Sequence, residues 1–262
     1  MTGRFGRYAA VVLLLILGAE LNACGGNERP TVLVAAASDL RFVFEEMEQE
    51  FEARCDCNLE FSFGSSGMLA TQIRNGLKVD VFASADSGYV DELESAGLIK
   101  VETRQLYAVG RIVLAVPAGS ELEIERLADL REVNVKRIAI ANPDHAPYGR
   151  AAKQALESAD VWEAVEDRLV LGENASLATQ FVETGNVDAG LVPLSLAISR
   201  DEYLRAVLVD ESLHEPLRQE AAVLRSSRHA AEAAAFLDFV NGEGRGLMRE
   251  YGFVLPGESL QR

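Results

Sequence analysis

Residues Thr31–Leu40, with the sequence TVLVAAASDL, join a continuous apolar run to a hydroxyl-bearing corner and then to a helical pattern. A continuous apolar run is typical of a strand that is buried on both faces of a parallel sheet. The helix predicted after the corner has an apolar face with spacings of three and four residues, formed by Leu40, Val43, Phe44, Met47 and Phe51. The segment therefore predicts the first β-α unit of an α/β fold.

A second corner of the same kind follows the next strand-like run, Leu59–Phe63, at Gly64-Ser65-Ser66-Gly67. The start of a helix has unpaired backbone N–H groups and a partial positive charge, so it attracts anions. A lone serine at such a point is more often only a helix cap. Two corners on adjacent β-α units instead predict that Ser38 and Ser66 converge on one small oxyanion without any Lys or Arg.

The same alternation of strand and helix continues along the chain. Further strands are predicted at 79–83, 105–108, 111–117, 138–141, 168–171, 188–192, 206–209 and 220–224. Further helices are predicted after Asp86, from Pro147 through Leu156, and over 175–184, 230–240 and 243–251. This rhythm predicts mainly parallel sheets flanked by helices, with ligands beyond the carboxyl ends of the strands. Two more candidate corners, at Tyr148 and Ala175, occupy that position.

The N-terminal 24 residues have the pattern of an export signal. Arg4 and Arg7 precede the apolar run Ala9–Gly18, which is too short to span a bilayer. Leu21–Cys24 resembles the lipobox of bacterial lipoproteins, which predicts cleavage before Cys24 and its lipidation. Ordinary cleavage nearby, leaving a free periplasmic protein, is the alternative.

Charge and cysteine content limit the classes of partner. The formal net charge of −16 excludes nucleic acid, because phosphate backbones require a basic face. A small anion is not excluded, since surface charges are screened over about 10 Å while hydrogen-bond donors in a site lie about 3 Å away. Cys55 and Cys57 are compatible with a strained disulfide or a two-thiolate metal clip, and we assign them no function.

The chain resembles the periplasmic molybdate-binding proteins of ABC importers, members of the extracellular solute-binding proteins. The resemblance runs from about Thr31 to Val254. It rests on an ordered set of segments: Ala35–Leu40, Phe61–Gly67, Asp80–Asp86, Asn142–Arg150, Gly172–Ala175, Phe181–Gly190 and Tyr251–Phe253. It implies a two-lobed periplasmic-binding-protein fold of type II, with residues 27–108 and 217–262 in the first lobe and 109–216 in the second.

The resemblance also implies a site in which a bare tetrahedral oxyanion lies between the lobes. Ser38 would supply its hydroxyl and amide, Ser66 its hydroxyl, and Tyr148 and Ala175 their backbone amides. The chain departs from the sequences of some family members at three positions. Ala175 replaces a Val, and Tyr148 replaces a small residue. Pro193 replaces a Tyr whose hydroxyl contacts the ligand in those members. The Tyr148 phenol either compensates for the missing donor or covers the site. Asp39 lies beside the site, and we expect its side chain to point outward from the first helical turn.

The resulting interpretation is an exported, lipid-tethered, monomeric protein without enzymatic activity or cofactor. It would bind molybdate, and tungstate as a near isostere, and deliver the anion to the permease of an ABC importer. One alternative is the same fold binding sulfate or phosphate. The other is a serine hydrolase that uses Ser66 and His145, for which the sequence suggests no third partner.

Overall fold

The computed structural model describes residues 29–132 and 134–258, so the signal segment and Cys24 lie outside the described residues. None of the helices in these ranges combines the length and the apolar character that a membrane span requires.

The strands are β1 Thr31–Ala37, β2 Asn58–Gly64, β3 Val81–Ser84, β4 Gln105–Gly110, β5 Ile112–Pro117, β6 Ile138–Ala141, β7 Leu169–Gly172, β8 Ala189–Pro193, β9 Leu204–Leu208 and β10 Leu217–Val223.

The α-helices are α1 Arg41–Cys55, α2 Ser66–Arg74, α3 Ser87–Ser95, α4 Pro147–Ser158, α5 Trp162–Val165, α6 Ala175–Glu183, α7 Leu194–Ile198, α8 Ala230–Asn241 and α9 Arg245–Glu250. A short 3₁₀ turn, Ser38–Leu40, separates β1 from α1. Helix α2 begins at Ser66, because the Ser65 side chain caps it by accepting a hydrogen bond from the Met68 amide.

The strands form two five-stranded sheets with the orders β2-β1-β3-β10-β4 and β7-β6-β8-β5-β9. In each sheet one strand runs antiparallel to both of its neighbours, β10 in the first and β5 in the second. Each antiparallel strand is the first that the chain forms after crossing from the other sheet. The predicted two-lobed fold with mainly parallel sheets is confirmed, and we call the two sheets with their helices the first and second lobes.

The first lobe is held together by an aromatic core under α1. All five residues of the predicted apolar face are at most 3% exposed. The Phe236 ring from α8 packs edge-on against the Phe44 and Phe51 rings, with 5.3 Å between the centroids in each pair. Burying each such side chain contributes roughly 1.5–3 kcal/mol, so this face fixes α1, and with it the corner that precedes the helix, against the sheet.

The chain crosses between the lobes twice, and the two crossings lie side by side. The first crossing is at Arg111, between β4 and β5, and the second runs from the end of β9 to the start of β10. Gly110 pairs with Leu217 in the first sheet, and Arg111 forms an ion pair with Glu211, with 3.0 Å between Nε and Oε1. We call Gly110, Arg111 and Leu217 the hinge.

Cys55 and Cys57 form a disulfide at the C-terminal end of α1, with 5.1 Å between their Cα atoms. The alternative of a two-thiolate metal clip is therefore wrong. Within residues 29–132 and 134–258, no group of three or more His, Cys, Asp or Glu side chains is arranged to hold a metal ion.

Candidate functional site

The four predicted corners meet at one small cavity between the lobes. Its empty volume is ≈ 180 Å³. The residues that line it are Ala37, Ser38, Asp39, Gly64, Ser65, Ser66, Ala85, Ala146, Pro147, Tyr148 and Ala175. All five candidate site residues are among them, and in the described part of the chain no Lys or Arg lines this space. The structure therefore brings the predicted residues together without a countercharge.

Ser38 lies where β1 ends, and its side chain faces the second lobe. Its Oγ accepts a hydrogen bond from the Ser176 amide at 3.2 Å, and its carbonyl oxygen accepts one from the Ser176 hydroxyl at 2.9 Å. Because the Ser38 oxygen already accepts a backbone N–H, its own hydrogen remains to donate to a ligand.

Ser66 is the first residue of α2 and is fully buried. Its Oγ accepts a hydrogen bond from the Ala85 amide at 3.0 Å, which again leaves the hydroxyl hydrogen as a donor. The neighbouring Ser65 has a different role, since its Oγ caps α2 and lies 2.7 Å from His145 Nδ1.

The second lobe faces the cavity with the starts of two helices. Tyr148 is the second residue of α4, after Pro147, and Ala175 is the first residue of α6. Backbone amides in the first turn of a helix have no partner within the helix, so both can donate to an anion. The Asn174 side chain fixes the start of α6 by accepting a hydrogen bond from the Leu177 amide at 3.0 Å.

The expected outward orientation of the Asp39 side chain is wrong. The residue is only 2% exposed, and its Oδ2 accepts hydrogen bonds from the Tyr148 hydroxyl at 2.9 Å and from Gln219 Nε2 at 2.8 Å. The expectation failed because residues 38–40 form a 3₁₀ turn and the second lobe covers them. The partners of Asp39 are distant in sequence.

Burial raises the pKa of Asp39 to about 6, and the hydrogen bonds from Gln219 and Tyr148 limit the rise. Its other oxygen, Oδ1, is buried without a hydrogen-bond partner among the described residues. The pKa of the Tyr148 phenol lies well above its ordinary value because of burial and the neighbouring Asp39 carboxylate. The phenol therefore stays a neutral donor to Asp39.

Sequence reasoning missed three polar residues beside the site. Ser176 binds Ser38, Gln219 binds Asp39, and the Ser195 hydroxyl donates to the Asp39 carbonyl at 2.9 Å. Ser176 carried a local signal, since it follows Ala175 at a helix start. Ser195 and Gln219 had no local signal, because the packing of the lobes brings Ser195 there and the strand order of the first sheet brings Gln219.

The pairing expected of a serine hydrolase is wrong. His145 Nδ1 lies beside Ser65, while Ser66 accepts the Ala85 amide. The His145 carbonyl accepts hydrogen bonds from the Gly67 amide at 3.0 Å and from the Tyr89 hydroxyl at 3.3 Å. His145 therefore forms part of the contact between the lobes.

A larger groove, with an empty volume of ≈ 1100 Å³ against ≈ 180 Å³ for the cavity, opens beside it and has Arg41 and Arg200 on its walls. Arg200 stacks on the Phe42 ring and forms an ion pair with Glu183 at 3.4 Å. The groove is far larger than a tetrahedral oxyanion, so the smaller cavity with its converging donors is the candidate site.

Comparisons with known proteins agree with this geometry. Residues 32–254 match the family model described as bacterial extracellular solute-binding protein. The molybdate-binding protein ModA of Rhodobacter capsulatus is 32% identical over 95% of this chain and 96% of its own length. ModA of Azotobacter vinelandii is 34% identical over 93% of this chain and 97% of its own length. The solved periplasmic molybdate-binding protein of A. vinelandii superimposes with a TM-score of 0.81 and 27% identity, covering 86% of this chain and 99% of the other.

Proposed function

This chain belongs to the bacterial extracellular solute-binding protein family, and from that premise we propose that it captures molybdate for the permease of an ABC importer. Relatives aligned over nearly their whole length are named for molybdate binding. Tungstate, a near isostere of molybdate, binds in the same way. The protein makes and breaks no bond and needs no cofactor.

The observation that carries the proposal is the convergence of neutral donors from both lobes. The Ser38 and Ser66 hydroxyls come from the first lobe, and the starts of α4 and α6 come from the second. Four such donors suit a fully deprotonated dianion, because each of its oxygens accepts and none donates. A species that carries a proton has an O–H without an acceptor in this donor set, at a cost of roughly 1–3 kcal/mol.

Transport follows from closure of the lobes on the anion. A ligand that contacts both lobes binds the closed form better than the open form, and so shifts the equilibrium toward closure. The permease then recognises the closed protein. The protein acts outside the cytoplasmic membrane as a monomer, held there by a lipid on Cys24.

Phosphate is the second candidate, and one observation favours it. Asp39 lines the cavity, and its Oδ1 is buried without a partner in the described part of the chain. That oxygen is able to accept the proton of hydrogen phosphate. Sulfate carries no proton at neutral pH, so only its size distinguishes it from molybdate in this site.

Isothermal titration calorimetry at pH 7.5 tests the proposal with molybdate, tungstate, sulfate and phosphate. We expect molybdate and tungstate to bind at micromolar concentration or below, and phosphate to release no comparable heat. Ser38→Ala should weaken molybdate binding. The control Ser226→Ala, at an exposed position outside the residues that line the cavity, should not. Equal affinity for phosphate and molybdate would overturn the assignment in favour of phosphate.

A further inference from the structure

Three buried side chains form a hydrogen-bonded triangle next to the anion cavity. The Tyr148 hydroxyl and Gln219 Nε2 both donate to Asp39 Oδ2, and Gln219 Nε2 lies 3.0 Å from the Tyr148 oxygen. Asp39 and Tyr148 are 2% exposed and Gln219 is fully buried. Tyr148 belongs to the second lobe, whereas Asp39 and Gln219 belong to the first, so the triangle joins the lobes.

The triangle lies directly on the hinge. Gln219 is in β10, two residues after Leu217, and the pairing of β10 with β4 shifts by one residue between Gln219 and Glu220. Such irregularities re-aim side chains. A Cβ added to Gly110 would collide with the Tyr148 hydroxyl and would lie 2.7 Å from Gln219 Nε2. Glycine at the first crossing therefore leaves the space that the triangle fills.

We propose that Asp39, Tyr148 and Gln219 form a latch that holds the lobes closed, with Asp39 and Gln219 acting as positioning residues for the start of α4. The latch rests on the proposed function, since its purpose is to hold the Tyr148 amide against the bound anion. Tyr148 serves in two ways: its backbone amide faces the cavity and its phenol binds the carboxylate.

The energetic reason is that both bonds to Asp39 involve a carboxylate that is almost fully buried. Charge-assisted hydrogen bonds are stronger than neutral ones, and their strength rises when water is excluded. Opening the lobes carries Tyr148 away from Asp39, because α4 moves with the second lobe. The latch therefore stabilises the closed form only, and its loss mainly increases the rate at which the ligand dissociates.

The decisive variant is Tyr148→Phe, which removes the phenol oxygen and keeps the backbone amide. Its matched control is Tyr107→Phe, since the buried Tyr107 hydroxyl donates to the Ser84 carbonyl at 3.1 Å within the first lobe. We expect Tyr148→Phe to raise the dissociation rate of molybdate, measured by stopped-flow fluorescence, about tenfold while the association rate changes less than threefold. Tyr107→Phe should lower the melting temperature without changing either rate.

Distances between spin labels on the lobes test the latch in the absence of any anion. Labels at the exposed positions Gln72 in α2 and Glu163 in α5 should report a larger open population in Tyr148→Phe than in the wild type. Gln219→Met, which keeps the side-chain volume, should act in the same direction. The double variant should add little to either single one, because both changes break one network.

Unchanged label distances and an unchanged dissociation rate in both Tyr148→Phe and Gln219→Met would overturn the latch. A change of equal size in Tyr107→Phe would also overturn it, because the effect would then be one of general stability. If the wild type binds none of the tested oxyanions, the proposed function fails. The label distances without anion still decide whether the latch exists.

Discussion

Ser176 donates two hydrogen bonds to Ser38 across the cleft. The Ser176 amide donates to Ser38 Oγ, and the Ser176 hydroxyl donates to the Ser38 carbonyl oxygen. A residue expected to bind the ligand is thus also held by the opposite lobe. Ligand binding and closure of the lobes therefore depend on the same side chain.

Removing either site hydroxyl should weaken binding of molybdate. Ser38→Ala and Ser66→Ala should each cost about 1–3 kcal/mol, since each leaves one oxygen of a buried anion without its donor. The double variant should lose less than the sum of the two effects, because both hydroxyls serve one ligand. Calorimetry with molybdate measures all three. Full additivity would mean that the two serines do not share a ligand.

Gly67 should be required for closure. A Cβ at this position would lie 2.5 Å from the Tyr89 hydroxyl and 2.7 Å from the His145 carbonyl oxygen. Gly67→Ala should therefore hold the lobes apart and weaken molybdate binding more than tenfold. The control is Gly246→Ala in α9, where an added Cβ meets nothing within 4 Å, and its affinity should equal that of the wild type. Equal affinities of Gly67→Ala and the wild type would show that the contact can rearrange.

The buried Asp39 should make the ligand-free protein less stable as pH rises. Its pKa is 3.8 when unperturbed and about 6 in the folded protein, so between these values the folded state binds more protons than the unfolded state. The free energy of unfolding should fall across this window, by about 3 kcal/mol through this group when the shift of about two pKa units is converted at 1.36 kcal/mol each.

Denaturant titrations between pH 4 and pH 7 measure this effect as the difference between the wild type and Asp39→Asn. The free energy of unfolding of Asp39→Asn, relative to that of the wild type, should rise between pH 4 and about pH 6 and level off at higher pH. Other carboxylates contribute equally to both proteins and cancel. A difference that is constant with pH would show that Asp39 titrates at an ordinary value.

Lipidation of Cys24 can be checked directly. Mass spectrometry of membrane-extracted protein should find an acylated N-terminal Cys24, and Cys24→Ser should release the protein from the membrane fraction. Ligand binding by the released protein should be unchanged, because residues 29–258 contain the candidate site. An unmodified N-terminus at another residue would contradict lipidation.

Local patterns in the sequence predicted the β-α units and the residues that come together at the candidate site. The apolar run Thr31–Ala37 and the apolar face of α1 are short-range signals, since strand and helix periodicities extend over only a few residues. The corners at Ser38 and Ser66 were predictable for the same reason, because a helix start has unpaired amides wherever it occurs. Parallel strand order then places such corners at one edge of a sheet.

The environment of Asp39 was decided only by the tertiary structure. From the sequence, a carboxylate in the first turn of a helix is most stable when it points to solvent near the positive helix end. Tyr148, 109 positions away, reaches this carboxylate only because the two lobes close around the hinge. Gln219, 180 positions away, reaches it because the strand order of the first sheet places β10 near the end of β1. No local pattern encodes that approach, since hydrogen bonds between distant segments depend on how the sheets pack and on the space left by Gly110.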